Sequence, residues 1–143
     1  MVRDAVKGDL GIIESIEQEC FGDEAWSKDM LLGDFNVRSH YKVANTEDGD
    51  VAGYASMLLL EGEAEILRIA VRKRYRKKGF GTALLNAIIE ECYSRAFEKL
   101  HLEVKDSNEP AKAMYIKAGF YEVARRKSYY PDGSDAVIMS RLL

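Results

Sequence analysis

The most constraining feature of the sequence is a strand, a basic glycine-containing loop, a helix and a second strand that follow one another between residues 65 and 104. The segment EILRIAV has the apolar composition of a buried strand. RYRKKGFG follows it, and the chain continues as TALLNAIIEECY, whose apolar residues recur every three or four positions, as in a helix. KLHLEV then alternates apolar and polar residues. This unit predicts a right-handed parallel crossover within an α/β fold.

The flanking segments predict the rest of a single domain over residues 1–143. VRDAV indicates a strand, and two helices follow, in GDLGIIESIEQECF with Asp9 as N-cap and in AWSKDMLLGDF with Ser27 as N-cap. HYKVANT and DVAGYASMLLL flank an Asp-Gly turn, which predicts a hairpin that EILRIAV extends. A helix in SNEPAKAMYIKAGF, ended by Gly119, precedes the strands YEVARRKSYY and DAVIMSRLL. The expected architecture is a mixed, mostly antiparallel sheet of six to seven strands flanked by about four helices.

Composition excludes several classes of protein. The net charge of the 143 residues is −3, so the chain as a whole does not bind polyanions. The N-terminal segment lacks the apolar core of a signal peptide, and no apolar run is long enough to span a membrane, so we expect a cytoplasmic protein. Its two cysteines have neither a disulfide framework nor a metal-ligand spacing, and we expect no bound metal.

Positive charge is concentrated in Arg72–Lys78, where six of the seven residues are basic. Gly79 and Gly81 follow at the start of the helix, where unpaired amides and the helix dipole attract anions. The run is also compatible with a solvated face or a nucleic-acid patch, but stacking aromatics beyond Tyr75 are lacking. Neither a P-loop nor a dinucleotide fingerprint is present. The pattern therefore favours a pyrophosphate site.

RKKGFG resembles the Arg/Gln-x-x-Gly-x-Gly/Ala signature of the GCN5-related N-acetyltransferases, and the predicted element order resembles their fold over essentially the whole chain. The segments IAV, LEVKDSNEPAKAMYIKAGF and RRKSYYPDGSDAVIM resemble the RimI-type ribosomal-protein alanine N-acetyltransferases in order and spacing. The resemblance implies direct transfer of acetyl from acetyl-CoA to an N-terminal amine. It implies as acceptor the N-terminal segment of a ribosomal protein, with no nucleic-acid contact, and an enzyme that is a monomer or a weak dimer.

The resemblance also implies which residues form the site. Co-substrate binding is implied for backbone and side-chain groups of Ile69, Ala70, Val71, Arg76, Lys77, Lys78, Gly79, Phe80, Gly81, Thr82 and Asn108. Acceptor binding is implied for Trp26, Tyr129 and Tyr130. From the residues alone, Asn108 is equally a helix cap, Trp26 is equally a core residue, and the two tyrosines equally mark the end of a strand.

Acetyl transfer from a thioester to an amine needs a neutral amine, a polarised carbonyl and protonation of the departing thiolate. The resemblance assigns proton acceptance, through a water, to Glu103 and proton donation to Tyr115. From the pattern alone, Glu103 is a solvent-facing strand residue and Tyr115 is a packed aromatic. An α-amine has a pKa of about 8 and is roughly one-tenth neutral at pH 7, whereas a lysine amine is almost fully charged. A modest base therefore suits an N-terminal amine better.

The sequence departs from the family pattern at three positions. Ala25 stands where proline is usual, Arg68 where a small polar residue often precedes IAV, and Ala124 where glycine is usual. Arg68 leaves the identity of the acceptor open. Two alternatives therefore stay open, namely an acetyltransferase for a small amine or polyamine and a non-catalytic acyl-CoA-binding module. Asp132 and Asp135 are candidates for attracting a positively charged peptide.

Overall fold

The computed structural model describes residues 1–37 and 39–143. A seven-stranded sheet and four α-helices account for most of them. The strands are β1 (Val2–Asp4), β2 (Ser39–Asn45), β3 (Val51–Leu59), β4 (Glu63–Val71), β5 (Lys99–Lys105), β6 (Tyr121–Arg126) and β7 (Ala136–Leu142). The helices are α1 (Leu10–Phe21), α2 (Lys28–Phe35), α3 (Phe80–Ser94) and α4 (Glu109–Lys117). The predicted fold class is confirmed.

The sheet has the strand order β1-β2-β3-β4-β5-β7-β6. Neighbouring strands are antiparallel except β4 and β5, which are parallel and are joined through α3. The parallel pair is the one that the strand-helix-strand unit predicted. The Asp-Gly hairpin is also confirmed, because Gly49 adopts a φ of 91° in the turn between β2 and β3.

Two apolar clusters cover the two faces of the sheet. On one face, α3 buries a stripe that includes Leu84, Leu85 and Ile88 against strand residues such as Leu100 and Leu102. Helix α4 packs on the same face. The second cluster joins α1 and α2 to β2, β3 and β4. Each fully buried leucine or isoleucine contributes roughly 2–3 kcal/mol, so both helix pairs are held firmly to the sheet.

A bulge interrupts β4 at Leu67. Arg68 pairs with Ser56 and Ile66 pairs with Met57, so two residues of β3 face three of β4. A bulge of this kind reverses which face the following side chains point to.

Parallel pairing between β4 and β5 ends just before the bulge, at Ile66 and Leu102. Both strands nevertheless continue, β4 to Val71 and β5 to Lys105. Beyond the bulge the two strands therefore separate, and the edge of β4 that faces β5 is left without strand hydrogen bonds. This gap is the feature of the fold that positions the site.

Asp9 occupies the N-cap position of α1, as predicted, but its side chain makes no capping hydrogen bond to that helix. The Asp9 carboxylate turns away from α1 and accepts a hydrogen bond from the Val6 amide at 2.7 Å. It also pairs with Arg3 at 2.8 Å, which ties β1 to the start of the helix. The prediction for Ser27 is confirmed, because its hydroxyl accepts a hydrogen bond from the Met30 amide at 3.2 Å.

The predicted strand YEVARRKSYY is too long, because β6 ends at Arg126. Ser128 adopts a φ of 49°, and its amide donates to the Asp135 carboxylate at 2.9 Å. Tyr129 and Tyr130 consequently lie in the loop between β6 and β7 and not in a strand. Helix α3 begins at Phe80, two residues before the predicted start at Thr82. Helix α4 ends next to Gly119, as predicted. No described helix has the length and apolar character needed to traverse a membrane.

Candidate active site

A groove of about 620 Å³ runs along the free edge of β4, between the end of α1 and the first turns of α3 and α4. All of the predicted co-substrate residues line it except Lys78. Sequence reasoning missed Cys20 and Phe21, which only tertiary packing brings to the groove. It also missed Pro110, Ala111 and Met114, although their spacing places them on the side of α4 that carries Asn108.

The start of α3 forms one end of this groove. Gly79 is its N-cap with a φ of 90°, a left-handed conformation that glycine adopts without steric cost. The first helical hydrogen bond joins the Ala83 amide to the Gly79 carbonyl at 3.0 Å. The amides of Phe80, Gly81 and Thr82 therefore have no partner within the helix and carry its positive dipole end. Such amides bind phosphate oxygens well.

The end of β4 forms the floor of the groove. The Arg72 amide donates to the Ala52 carbonyl at 2.9 Å, so it points toward β3. Because backbone direction alternates along a strand, Ala70 also points toward β3, and the backbone groups of Ile69 and Val71 point toward the gap. The close approach of the two strands requires Gly53, since a Cβ there would lie 2.4 Å from the Ala70 carbonyl oxygen.

Arg76 folds back onto the end of β4. Its Nε donates to the Val71 carbonyl at 3.0 Å, and its Nη2 lies 3.6 Å from the Cys20 sulfur. Cys20 itself donates to the same Val71 carbonyl at 3.5 Å. Burial raises the pKa of the Cys20 thiol, an effect that the Arg76 guanidinium only partly opposes. The Arg76 guanidinium therefore keeps this corner of the groove positively charged, and burial keeps the Cys20 thiol protonated.

Asn108 combines the two roles considered for it. Its side-chain oxygen accepts a hydrogen bond from the Ala111 amide at 3.3 Å and so caps α4. It also lines the groove across from the start of α3. The capping contact fixes its orientation toward the groove.

Glu103 lies on β5 beyond the last pair with β4, at the other end of the gap. Its Oε2 is 3.6 Å from Nε of Arg126 on the edge strand β6. Burial raises the pKa of Tyr130, and the negative charge of Glu103 contributes to the shift. The charge of the carboxylate therefore acts on the loop that carries Tyr130. Neither residue lines the groove that holds the start of α3.

Tyr115 lies on α4 beside Met114, one residue behind the groove lining. It is 8% exposed and its ring packs edge-on against Phe120, with the centroids 5.7 Å apart. Burial raises the pKa of Tyr115 to about 12. Its hydroxyl is therefore protonated throughout the physiological range.

Trp26 is fixed by a network centred on Glu17, a fully buried carboxylate of α1. Glu17 accepts hydrogen bonds from the Trp26 amide at 2.8 Å and from the Tyr54 hydroxyl at 2.5 Å. Arg68 pairs with it at 3.4 Å. A carboxylate buried without such partners would cost several kcal/mol, so these contacts hold the segment between α1 and α2 in place.

Asp132 and Asp135 do not present free negative charge. Lys105 pairs with Asp132 at 2.8 Å, and this contact, with hydrogen bonds from Ser134, lowers the pKa of Asp132. Asp135 accepts from the Ser128 amide and pairs with Arg125 at 3.3 Å. Both carboxylates hold the loop between β6 and β7, so their predicted attraction for a basic peptide is not supported.

A cluster of Asp4, His40 and Glu91, at the β1–β2 edge of the sheet and near the end of α3, has ligand types that suit a metal ion. The Lys42 ammonium lies within it, 2.7 Å from Asp4 and 3.1 Å from Glu91. A fixed cation already neutralises these carboxylates. We therefore assign the cluster a structural role.

The groove, the amides at the start of α3 and the free edge of β4 form a candidate site whose shape and donors suit an elongated, phosphate-containing ligand. A model of the Acetyltransferase (GNAT) family matches residues 11–120. The chain therefore belongs to the GNAT family of acetyltransferases.

Named relatives agree with this family. The ribosomal protein bS18-alanine N-acetyltransferase of Haemophilus ducreyi is 33% identical over 100% of both chains. The crystal structure of the ribosomal-protein-S18-alanine N-acetyltransferase from Escherichia coli matches with a TM-score of 0.91 and 33% identity, covering 99% of this chain and 92% of that one. A phosphinothricin acetyltransferase from Sinorhizobium meliloti in complex with acetyl-CoA has a TM-score of 0.89 at 24% identity, covering 100% of this chain and 88% of that one, and shows the fold alone.

Proposed function

We propose that residues 1–143 form a single acetyltransferase domain that transfers acetyl from acetyl-CoA to the N-terminal amine, preferably of alanine, of a ribosomal protein. The observation that carries the proposal is the shared groove of the α3 amides and the free edge of β4. This arrangement places amides that can donate hydrogen bonds to phosphate in line with a strand edge that can hydrogen-bond an acyl arm. The names of the full-length relatives support the choice of acceptor.

The groove residues fit acetyl-CoA. The amides of Phe80, Gly81 and Thr82 would hold the pyrophosphate, with Lys77 adding charge beside them. The backbone edge at Ile69 and Val71 would bind the acyl arm by strand-like hydrogen bonds. The co-substrate supplies an activated thioester, and a backbone amide of this edge would polarise its carbonyl as negative charge develops there.

Glu103 would accept the proton of the acceptor amine through a water. It lies at the end of the gap, next to the acceptor loop that carries Tyr130. A carboxylate of modest basicity is sufficient, because an α-amine is already partly neutral near pH 7. The Arg126 guanidinium lies 3.6 Å from this carboxylate and connects it to the edge strand β6.

Tyr115 would supply the proton to the departing thiolate. With a pKa of about 12, its hydroxyl always carries the proton that the step needs. The cysteines do not enter the scheme. Burial raises the pKa of Cys92 to about 11 and also raises that of Cys20, so both thiols stay protonated and poorly nucleophilic.

A peptide competition tests the proposal against its alternatives. Purified protein is incubated with acetyl-CoA and two peptides, one with a free N-terminal alanine and no lysine, the other with a blocked N-terminus and one lysine. Mass spectrometry should find acetyl on the first peptide alone. Acetylation of spermidine with both peptides unmodified would instead favour a small-amine enzyme. Binding of acetyl-CoA with no product on any amine would favour a binding module.

A further inference from the structure

Arg68 makes contacts that the proposed chemistry does not use. Its guanidinium lies over the Phe21 ring at 4.1 Å and over the Trp26 ring at 4.5 Å, measured to the ring centroids. The same group pairs with Glu17 at 3.4 Å and donates to the Glu24 carbonyl at 3.1 Å. One side chain of β4 therefore contacts two residues of α1 and two residues of the segment that joins α1 to α2.

The bulge in β4 explains why this side chain points away from α3. Ile69 and Val71 pack against the cluster beneath α3, whereas Ala70 belongs to the cluster beneath α1 and α2. Alternation along the strand therefore places Arg68 on the α1 side, next to the backbone edge that faces the gap. Without the extra residue at Leu67, the same position would point toward α3.

Arg68, Glu17 and Trp26 each contact the other two. Glu17 binds the Trp26 amide at 2.8 Å, and Arg68 both pairs with Glu17 and covers the Trp26 indole. Glu17 thus fixes the backbone of Trp26, Arg68 fixes its ring, and the two side chains are joined by an ion pair. The guanidinium is suited to this because its planar faces stack on aromatic rings while its edge donates hydrogen bonds.

The position of Arg68 connects the two halves of the site. Phe21, on one side of the guanidinium, lines the co-substrate groove. Trp26, on the other side, is the predicted wall of the acceptor site. Ile69, the next residue of β4, turns its backbone toward the gap. A movement of Arg68 would therefore shift the acceptor wall relative to the acyl arm.

We propose that Arg68 is a positioning residue that fixes the wall of the acceptor site, through its stacking between Phe21 and Trp26 and its ion pair with Glu17. For its kinetic part this inference rests on the proposed function. A wall that cannot move leaves no room for a bulky first residue of the acceptor peptide, so such peptides are rejected. Arg68 therefore restricts acceptors to peptides that begin with a small residue.

Trp26 provides a direct readout, because it is the only tryptophan in the chain. We expect Arg68→Lys and Arg68→Met to increase acrylamide quenching of its fluorescence about twofold, since the indole loses the stacked guanidinium. Arg95→Met, at the end of α3 and far from the site, serves as control and should leave quenching unchanged. Quenching like that of the wild type in both Arg68 variants would overturn the proposal.

Kinetics test the acceptor role. Both Arg68 variants should raise KM for an alanine-starting peptide about tenfold, as expected for a loosened positioning wall. KM for acetyl-CoA should stay within about twofold. The preference for alanine-starting over leucine-starting peptides should fall about fivefold, which a purely structural role would not produce.

Arg68→Lys separates positioning from charge. Lysine keeps the positive charge beside buried Glu17, so this variant should fold even if Arg68→Met does not. If lysine restores the acceptor KM of the wild type, charge alone is sufficient and the proposal fails. If the wild-type protein acetylates neither peptide, the proposed function and the kinetic role fall together, whereas quenching still decides whether Arg68 fixes Trp26.

Discussion

Arg126 on the edge strand β6 stands 3.6 Å from Glu103 on β5, although the two strands are separated in the sheet by β7. The long arginine side chain therefore crosses over the middle strand to reach the carboxylate. The contact joins β6 to β5 across β7. It links the proposed proton acceptor to the segment that carries Tyr129, whose ring centroid lies 5.4 Å from the same guanidinium.

Replacing Glu103 by glutamine should lower kcat about 100-fold at pH 6.5, because the amide cannot accept the proton. The loss should shrink toward pH 8.5, where more of the α-amine is already neutral. Steady-state rates across this range measure the effect, with Glu65→Gln on the neighbouring strand as control. A uniform loss at every pH would argue against proton acceptance by Glu103.

Replacing Tyr115 by phenylalanine should lower kcat about 100-fold while leaving the Kd for acetyl-CoA unchanged, since the ring packing stays and only the proton donor is removed. Isothermal titration and single-turnover rates separate the two quantities. Tyr121→Phe, which alters an exposed tyrosine, is the matched control. Full activity of Tyr115→Phe would exclude the hydroxyl as the donor.

Gly79→Ala should weaken acetyl-CoA binding about tenfold, because alanine disfavours the φ of 90° that presents the α3 amides. Gly49→Ala is the control, since Gly49 has a φ of 91° in the β2–β3 turn and a Cβ would also enter open space there. Both variants should lose about 1 kcal/mol of unfolding free energy. Equal affinity of both variants for acetyl-CoA would contradict the phosphate assignment.

The protein should lose stability between about pH 10 and pH 12. Burial raises the pKa of Tyr115 from 10.0 to about 12, and burial also raises those of Tyr41 and Tyr54. Below pH 10 both states keep these protons, whereas above it the unfolded state releases them first and is favoured. Tyr115 alone contributes a loss of roughly 2 kcal/mol by pH 12. Urea unfolding at several pH values should show that the unfolding free energy of Tyr115→Phe falls less steeply with pH than that of the wild type.

The pattern of the sequence predicted the elements that local periodicity encodes. The alternation of KLHLEV and the stripe from Leu84 to Cys92 sufficed for β5 and α3. Gly79 and Gly81 indicated where α3 begins, because helix starts and glycine turns are local features. The order of strands on the β7 side and the bulge at Leu67 could not be predicted, since both depend on pairing between distant segments.

The wrong prediction that the strand continues to Tyr129 and Tyr130 has a similar origin. The segment YEVARRKSYY has the composition of a strand throughout, but Asp135 captures the Ser128 amide from seven residues away. Arg68 was noted only as a departure from the family pattern. Its aromatic partners, Phe21 and Trp26, lie more than forty residues earlier in the chain, so no local signal revealed the stack.

The bulge at Leu67 has a practical consequence for protein engineering. After it, Ile69 and Val71 pack on the α3 side of the sheet, whereas Ala70 packs on the α1 side and Arg68 contacts α1 and the segment after it. Varying Arg68 alone would therefore test the proposed acceptor preference without replacing a residue that lines the co-substrate groove, whereas Ala70 is part of that lining. The one extra residue at Leu67 thus decides that Arg68 contacts α1 while its neighbour Ile69 packs on the side of α3.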